Sequence, residues 1–129
     1  NARAKDFTFE PIVRMTSTYI EPGSLSKEEL IVKCRDGLYV DGVKHGTGGS
    51  TFTIAPVRAY RIKEGKLGDP VKVAVISGSL HKTLNDIEGI ANDFSLESSH
   101  FGGCGKMEQW PLPVADGGPT ILVKDMQVS

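Results

Sequence analysis

The chain has 129 residues, enough for one hydrophobic core, with ordinary apolar (39%) and charged (24%) fractions. Fifteen basic and 16 acidic residues leave a net charge of −1, which gives no electrostatic footprint for nucleic acid or for an anionic membrane surface. No apolar run is long enough to span a bilayer, and two cysteines far apart, Cys34 and Cys104, fit a reduced, cytoplasmic protein better than a disulfide scaffold.

Asn1-Ala2 reads as the scar of a removed tag, which leaves residues 3–129 as a single domain. Residues 3–10 read as loose or extended. Residues 12–20, rich in β-branched and aromatic types, predict a strand that Pro22-Gly23 ends. Ser26 and Glu29 have capping-box spacing and start a helix; Leu30, Ile31 and Cys34 share one face, so Cys34 reads as core, and Gly37 is a natural stop. Leu38–Val43 predicts a short strand and His45–Ser50 a glycine-rich loop. Phe52–Lys63 predicts a long strand with an edge or bulge at Pro56. The tight turn Glu64-Gly65 and a second bend at Gly68-Asp69-Pro70 lead back into an apolar strand over Val71–Ser77 with both faces covered. Ser79 can cap a second helix, with Leu80, Leu84 and Ile87 at helical spacing and an end near Gly89. Phe94–Leu96 reads as a short strand and Ser98–Gly105 as a loop. Met107–Val114, with two prolines, is extended, and Thr120–Val128 is a last strand. About six strands, two short helices and hairpin-length connections predict an α+β fold with a largely antiparallel sheet.

Chemistry concentrates at Phe101-Gly-Gly-Cys104-Gly-Lys106. Glycines let a backbone approach a ligand closely, and a thiolate is a good zinc donor. On the residues alone the simpler reading is a loop cysteine with no role or a small buried apolar group, because no Cys-x-x-Cys or His-x-x-x-His partner stands near it. His100 and His45 read as solvated loop residues and His81 as a surface residue. There is no Gly-x-Ser-x-Gly elbow, and His45-Gly-Thr-Gly-Gly-Ser50 lacks the Gly-Lys-Ser/Thr end of a phosphate-binding loop. Arg14, Thr16, Ser17, Thr18 and Tyr19 make a donor-rich run. It is either a half-exposed strand or the wall of a substrate cleft.

Several segments in order resemble the C-terminal region of the TldD/PmbA family: Arg14-Met-Thr-Ser-Thr-Tyr-Ile-Glu-Pro-Gly23, Gly37-Leu-Tyr-Val40, Ala59-Tyr60 with Glu64-Gly-Lys66 and Pro70-Val71, Ala91-Asn-Asp93, and Cys104-Gly-Lys106 with Gln109, Pro113-Val114 and Pro119-Thr120. These proteins, once described as modulators of DNA gyrase, are regarded as zinc metallopeptidases. The Cys-Gly-Lys-x-x-Gln pattern is closer to the TldD branch. The resemblance implies that Cys104 is the third zinc ligand, after two histidines of a His-Glu-x-x-x-His helix whose glutamate is a general base. That helix is absent here, since the chain has no His-Glu dipeptide, and is expected upstream. It follows that this piece alone holds no zinc tightly and cleaves nothing, while the full-length parent carries zinc and hydrolyses unstructured peptides. Arg14, Thr16, Thr18, Tyr19, Gly102 and Gly103 are the implied peptide-binding residues, by strand addition. A homo- or hetero-oligomer with a TldD/PmbA-type subunit is the implied assembly. The other implied role is a non-catalytic scaffold domain of a PmbA-like partner subunit. Departures from the family pattern lie at Phe101-Gly-Gly-Cys104, Met107-Glu108 and Trp110-Pro-Leu-Pro113, beside the ligand.

Overall fold

The structure is a computed structural model and describes residues 1–98 and 102–129. In chain order the elements are β1 (Ala2–Arg3), β2 (Ile12–Val13), α1 (Lys27–Cys34), β3 (Gly37–Thr47), β4 (Thr51–Lys63), β5 (Lys66–Pro70), β6 (Ile76–Ser79), α2 (Leu80–Asn85), β7 (Ile87–Ile90), β8 (Ser95–Ser98), β9 (Cys104–Lys106), β10 (Gln109–Leu112), β11 (Ala115–Gly118), β12 (Ile121–Val123) and β13 (Gln127–Val128). Every ladder among the described residues is antiparallel. One isolated parallel bridge joins Leu25 to Ala91. The α+β class with a largely antiparallel sheet therefore holds, although the strands are more numerous than six and, apart from β3 and β4, short.

The chain forms two compact units, one of Asn1–Pro22 with Asp93–Pro119 and one of Gly23–Asn92 with Thr120–Ser129. The second unit is organised by a five-stranded sheet, in the order β13-β6-β4-β3, with β5 also paired to β4. Its first helix starts where the sequence says. The Ser26 side chain accepts from Glu29 N at 3.1 Å, while a Glu29 carboxylate oxygen accepts from Ser26 N at 2.7 Å, so the capping box is complete. These hydrogen bonds hold the Glu29 carboxyl below its ordinary range. The helix stops at Cys34, before Gly37, because Arg35 takes a positive φ of 60°. Leu30 is buried and packs over Gly89 of β7, where a side chain would collide with its Cδ2.

Five segments of this unit differ from expectation. β3 runs on to Thr47 through the expected glycine-rich loop, because β4 supplies ladder partners as far as Thr53. Pro56 falls where the second neighbour of β4 changes from β6, paired to Thr51–Ile54, to β5, paired to Tyr60–Lys63. A missing N–H costs no ladder bond on that side. The Glu64-Gly65 turn forms as expected, with both residues at positive φ, but β5 pairs at once, through the expected bend. The apolar run 71–75 is not a ladder strand; Val71 N bonds Ala59 O, and Ala74 N and Val75 N bond Ser129 O. Helix α2 ends at Asn85, since Asp86 N bonds Lys82 O and Thr83 O, and Ile87 begins β7 with Leu80 and Leu84 left exposed. The last strand is broken into β12 and β13 at Asp125, which has φ 56°.

The first unit holds only short ladders, β1 with β2, β9 with β10, and β8 with β11. Only Ile12–Val13 of the expected strand 12–20 is laddered. Beyond it the chain is held by side chains: Arg3 Nη1 donates to Met15 O at 2.8 Å, and Ser17 Oγ accepts from Ala115 N at 3.1 Å. Buried Gln109 ties two loop segments, accepting from Lys5 N at 2.8 Å and donating to Glu10 O at 3.0 Å.

Candidate functional site

Cys104 opens β9, opposite Leu112 of β10. Two glycines precede it, both at positive φ (79° at Gly102, 120° at Gly103). A Cβ on Gly103 would fall well inside contact distance of the Leu112 carbonyl, so the bare α-carbon is what lets β9 start against β10. A Cβ on Gly105 would lie 2.7 Å from Trp110 Cδ1, so the indole covers the backbone just past the cysteine. The Trp110–Pro111 peptide is cis. Lys106 Nζ donates to Val13 O at 2.9 Å, which fastens the hairpin to β2.

Arg14 is brought to this hairpin. Its Nη2 donates to Cys104 O at 2.8 Å, and its side chain is buried. The expected donor-rich run therefore does not present Arg14 to solvent; the guanidinium points into the unit and meets the cysteine. Thr16 is half-buried, Thr18 and Tyr19 are exposed, and the Tyr19 ring stands edge-on to Phe94 with centroids 4.9 Å apart. Gly102 is exposed and Gly103 half-buried. Sequence reasoning singled out Arg14 and Cys104 separately but not their bond, since 90 residues separate them. It did not identify Arg3 or Gln109 as the struts of this region. The spacing Cys104-x-Lys106-x-x-Gln109 carried a signal, because all three face the N-terminal segment. His45 and His81 are exposed, and His100 lies outside the described residues.

The two thiols differ in what surrounds them. Burial, then the Asp36 carboxylate, pushes the Cys34 thiol up, which keeps it protonated and a poor metal donor. Cys104 Sγ is half-buried, and among the described residues its polar contact is a long 3.9 Å approach to Gly105 O, with no strong hydrogen bond to the sulfur. Its chemistry fits one soft ligand of a zinc ion. Among the described residues no three or more His, Cys, Asp or Glu side chains gather to complete such a site. No helix among them is long and apolar enough to cross a membrane.

This is the architecture of a metallopeptidase C-terminal domain. The chain belongs to the PmbA/TldA metallopeptidase C-terminal domain family, whose sequence model matches residues 1–129. It is similar to a metalloprotease of Methanothermobacter thermautotrophicus, with 39% identity over 122 residues, 92% of this chain and 26% of that protein. A zinc metalloprotease TldD homolog of Saccharolobus solfataricus is 36% identical over 130 residues, covering 99% of this chain and 28% of that protein. The fold is shared with TldE from Thermococcus kodakarensis at a TM-score of 0.73, with 16% identity, across 100% of this chain and 27% of the solved one. The chain thus spans about a quarter of the length of the curated relatives it matches.

Proposed function

We propose that this chain is the C-terminal domain of a cytoplasmic, TldD-like zinc metallopeptidase that hydrolyses unstructured peptides, and that Cys104 is its one contribution to the metal. The observation that carries this reading is the Cys104 thiol itself. It is half-buried, without a strong hydrogen bond among the described residues, and fixed by two glycine-dependent turns and by Arg14 on its own carbonyl. The remaining ligands come from the part of the protein beyond this chain, so the chain alone is inactive and holds no metal. When bound, zinc supplies Lewis acidity for hydrolysis.

The residues of this chain bind and orient. Arg14 sets the Cys104 backbone. Thr16, Thr18 and Tyr19, on a run that joins no ladder among the described residues after Val13, offer backbone groups, hydroxyls and the Tyr19 ring to a peptide lying alongside, with Gly102 and Gly103 as the facing wall. Such recognition reads main chain, which suits substrates without fixed structure. The similarity to TldD-type metalloproteases agrees with pairing to a second TldD/PmbA-type subunit.

The test is metal analysis of the full-length protein with Cys104→Ala, and with Cys34→Ala as the control. Zinc is expected to be lost in the first and retained in the second. Equal zinc in Cys104→Ala and the wild type removes Cys104 from the site.

A further inference from the structure

Arg14 and Gln109 are the buried polar side chains among the described residues, at 3% and 5% exposure. The burial of Gln109 is accounted for by its bonds, since both ends of its amide are used, on Lys5 N and on Glu10 O. The burial of Arg14 is not. Its Nη2 donates to Cys104 O, while Nε and Nη1 are shut off from water and have no acceptor among the described residues. The ion pairs Arg58 with Asp41 and Lys82 with Asp86 leave it out as well. A buried permanent charge held by one hydrogen bond adds little net stability, and an apolar side chain of similar volume often does as well or better. What that one bond does secure is the carbonyl of Cys104.

The carbonyl belongs to the least constrained backbone of the hairpin. Cys104 has a glycine on each side, and Gly102 and Gly103 before it are both at positive φ. Glycine has more backbone freedom to lose than any other residue, so a Gly-Gly-Cys-Gly run needs an anchor from outside itself. Its own ladder is sparse: β9 and β10 register at Lys106 with Gln109 and at Cys104 with Leu112, with an irregularity between. We propose that Arg14 is the positioning residue of the metal site, and that its bond to the Cys104 carbonyl fixes the backbone from which the sulfur is aimed. The inference rests on the assignment of Cys104 to zinc made above, and adds what holds that ligand in place. Arginine suits the task. Its planar fork loses less freedom per hydrogen bond than a flexible ammonium, and a charged donor makes a stronger bond than a neutral one. A ligand ordered beforehand does not have to be ordered when the metal binds, so the anchor acts on metal affinity. The poorly compensated burial of Arg14 then belongs to the site and not to the stability of the fold.

The experiment is cobalt(II) binding to the full-length protein, followed by competition with a chelator and by the sulfur-to-cobalt charge-transfer band. Arg14→Met, which is unbranched and has no donor, is expected to weaken cobalt about ten- to a hundredfold, the range for removing a group that orients a ligand. The denaturant midpoint of the metal-free protein should meanwhile move less than in Gln109→Ala, because a buried charge leaves with the bond. Arg14→Lys, which returns a charged donor, should recover part of the affinity. Should Arg14→Met not fold, Arg14→Gln, whose amide is too short to reach the carbonyl, is read in its place. Cobalt affinity within about twofold of wild type in the folded variant overturns the positioning role. An Arg14→Lys no better than Arg14→Met overturns it too, since a donor at the carbonyl is then not what matters. A midpoint that falls as far as in Gln109→Ala, or failure of both variants to fold, assigns Arg14 to the fold and has the same result. In each of these cases a charge-transfer band seen in wild type and lost in Cys104→Ala leaves the assignment of Cys104 standing. A cobalt-loaded wild type without that band sinks the assignment, and the proposal with it.

Discussion

In the unit of Gly23–Asn92 and Thr120–Ser129, β3 and β4 pair through nine register positions and most order is carried by backbone ladders. In the unit of Asn1–Pro22 and Asp93–Pro119, the longest ladder has four register positions, and Arg3, Arg14, Lys106 and Gln109 reach across from side chain to carbonyl or amide. The two units are therefore vulnerable in different ways. A long ladder spreads its stability over many equivalent bonds, so losing one side chain is felt as lost packing. A region tied by a few buried polar struts concentrates stability in them, because removing one strands its partners away from water. The candidate metal ligand sits in the second kind of region, where its position depends on groups that can be removed singly.

The comparison can be pressed hardest at Gly103. Gly103→Ala sets a Cβ against the Leu112 carbonyl at a φ of 120°, and should cost about 3 kcal/mol or more. Hydrogen exchange should show the loss at the amides of Lys5 and Ala115, while those of β4 stay protected; equal loss in both units would break the contrast. Next comes Gln109→Ala, which leaves Lys5 N and Glu10 O without partners and should cost about 2 kcal/mol by denaturant unfolding. A cost near zero would show that water replaces the strut, and that this region is not as concentrated as its bonds imply.

The smallest effect belongs to the laddered unit. Ser26→Ala removes the N-cap of α1 and should cost about 1 kcal/mol. The same box sets a pH dependence. The folded Glu29 carboxyl is held below its unfolded value by its bonds to Ser26, so its stabilisation is full above the ordinary glutamate range and is lost as pH falls through the lowered folded value. Unfolding of wild type and Glu29→Gln should therefore converge as the solution is acidified, and a constant gap across acid pH would show that the Glu29 carboxylate does not take part.

What was legible in the sequence follows the same division. The capping box, the Glu64-Gly65 turn and the β4 strand are local signals, each fixed by residues within a few positions of one another, and each formed where expected. The apolar run over Val71–Ser77 misled, because apolar content does not report whether a neighbouring strand is in register: residues 71–75 join no ladder, and Lys72 and Ala74 are exposed where both faces were expected to be covered. The strand expected at 12–20 dissolved for another reason. Its order comes from Arg3, Ser17 and Arg14 bonding partners that are 12, 98 and 90 positions away, and no local pattern encodes such bonds. Of the candidate site, the residue types were readable, while the union of Arg14 with Cys104 needed the fold.

The indole resting over Gly105 also serves as a reporter. Trp110, on β10, is the single tryptophan of the chain and 57% exposed, so its emission reads out the unit that carries Cys104. Tyr39 and Tyr60, 6.3 Å apart on facing strands, belong wholly to the other unit. Tyrosine emission mixes the two units, since Tyr19 shares the unit of Trp110, whereas the indole reports one unit only. A fluorescence titration with peptide can therefore follow events beside Cys104 without a label.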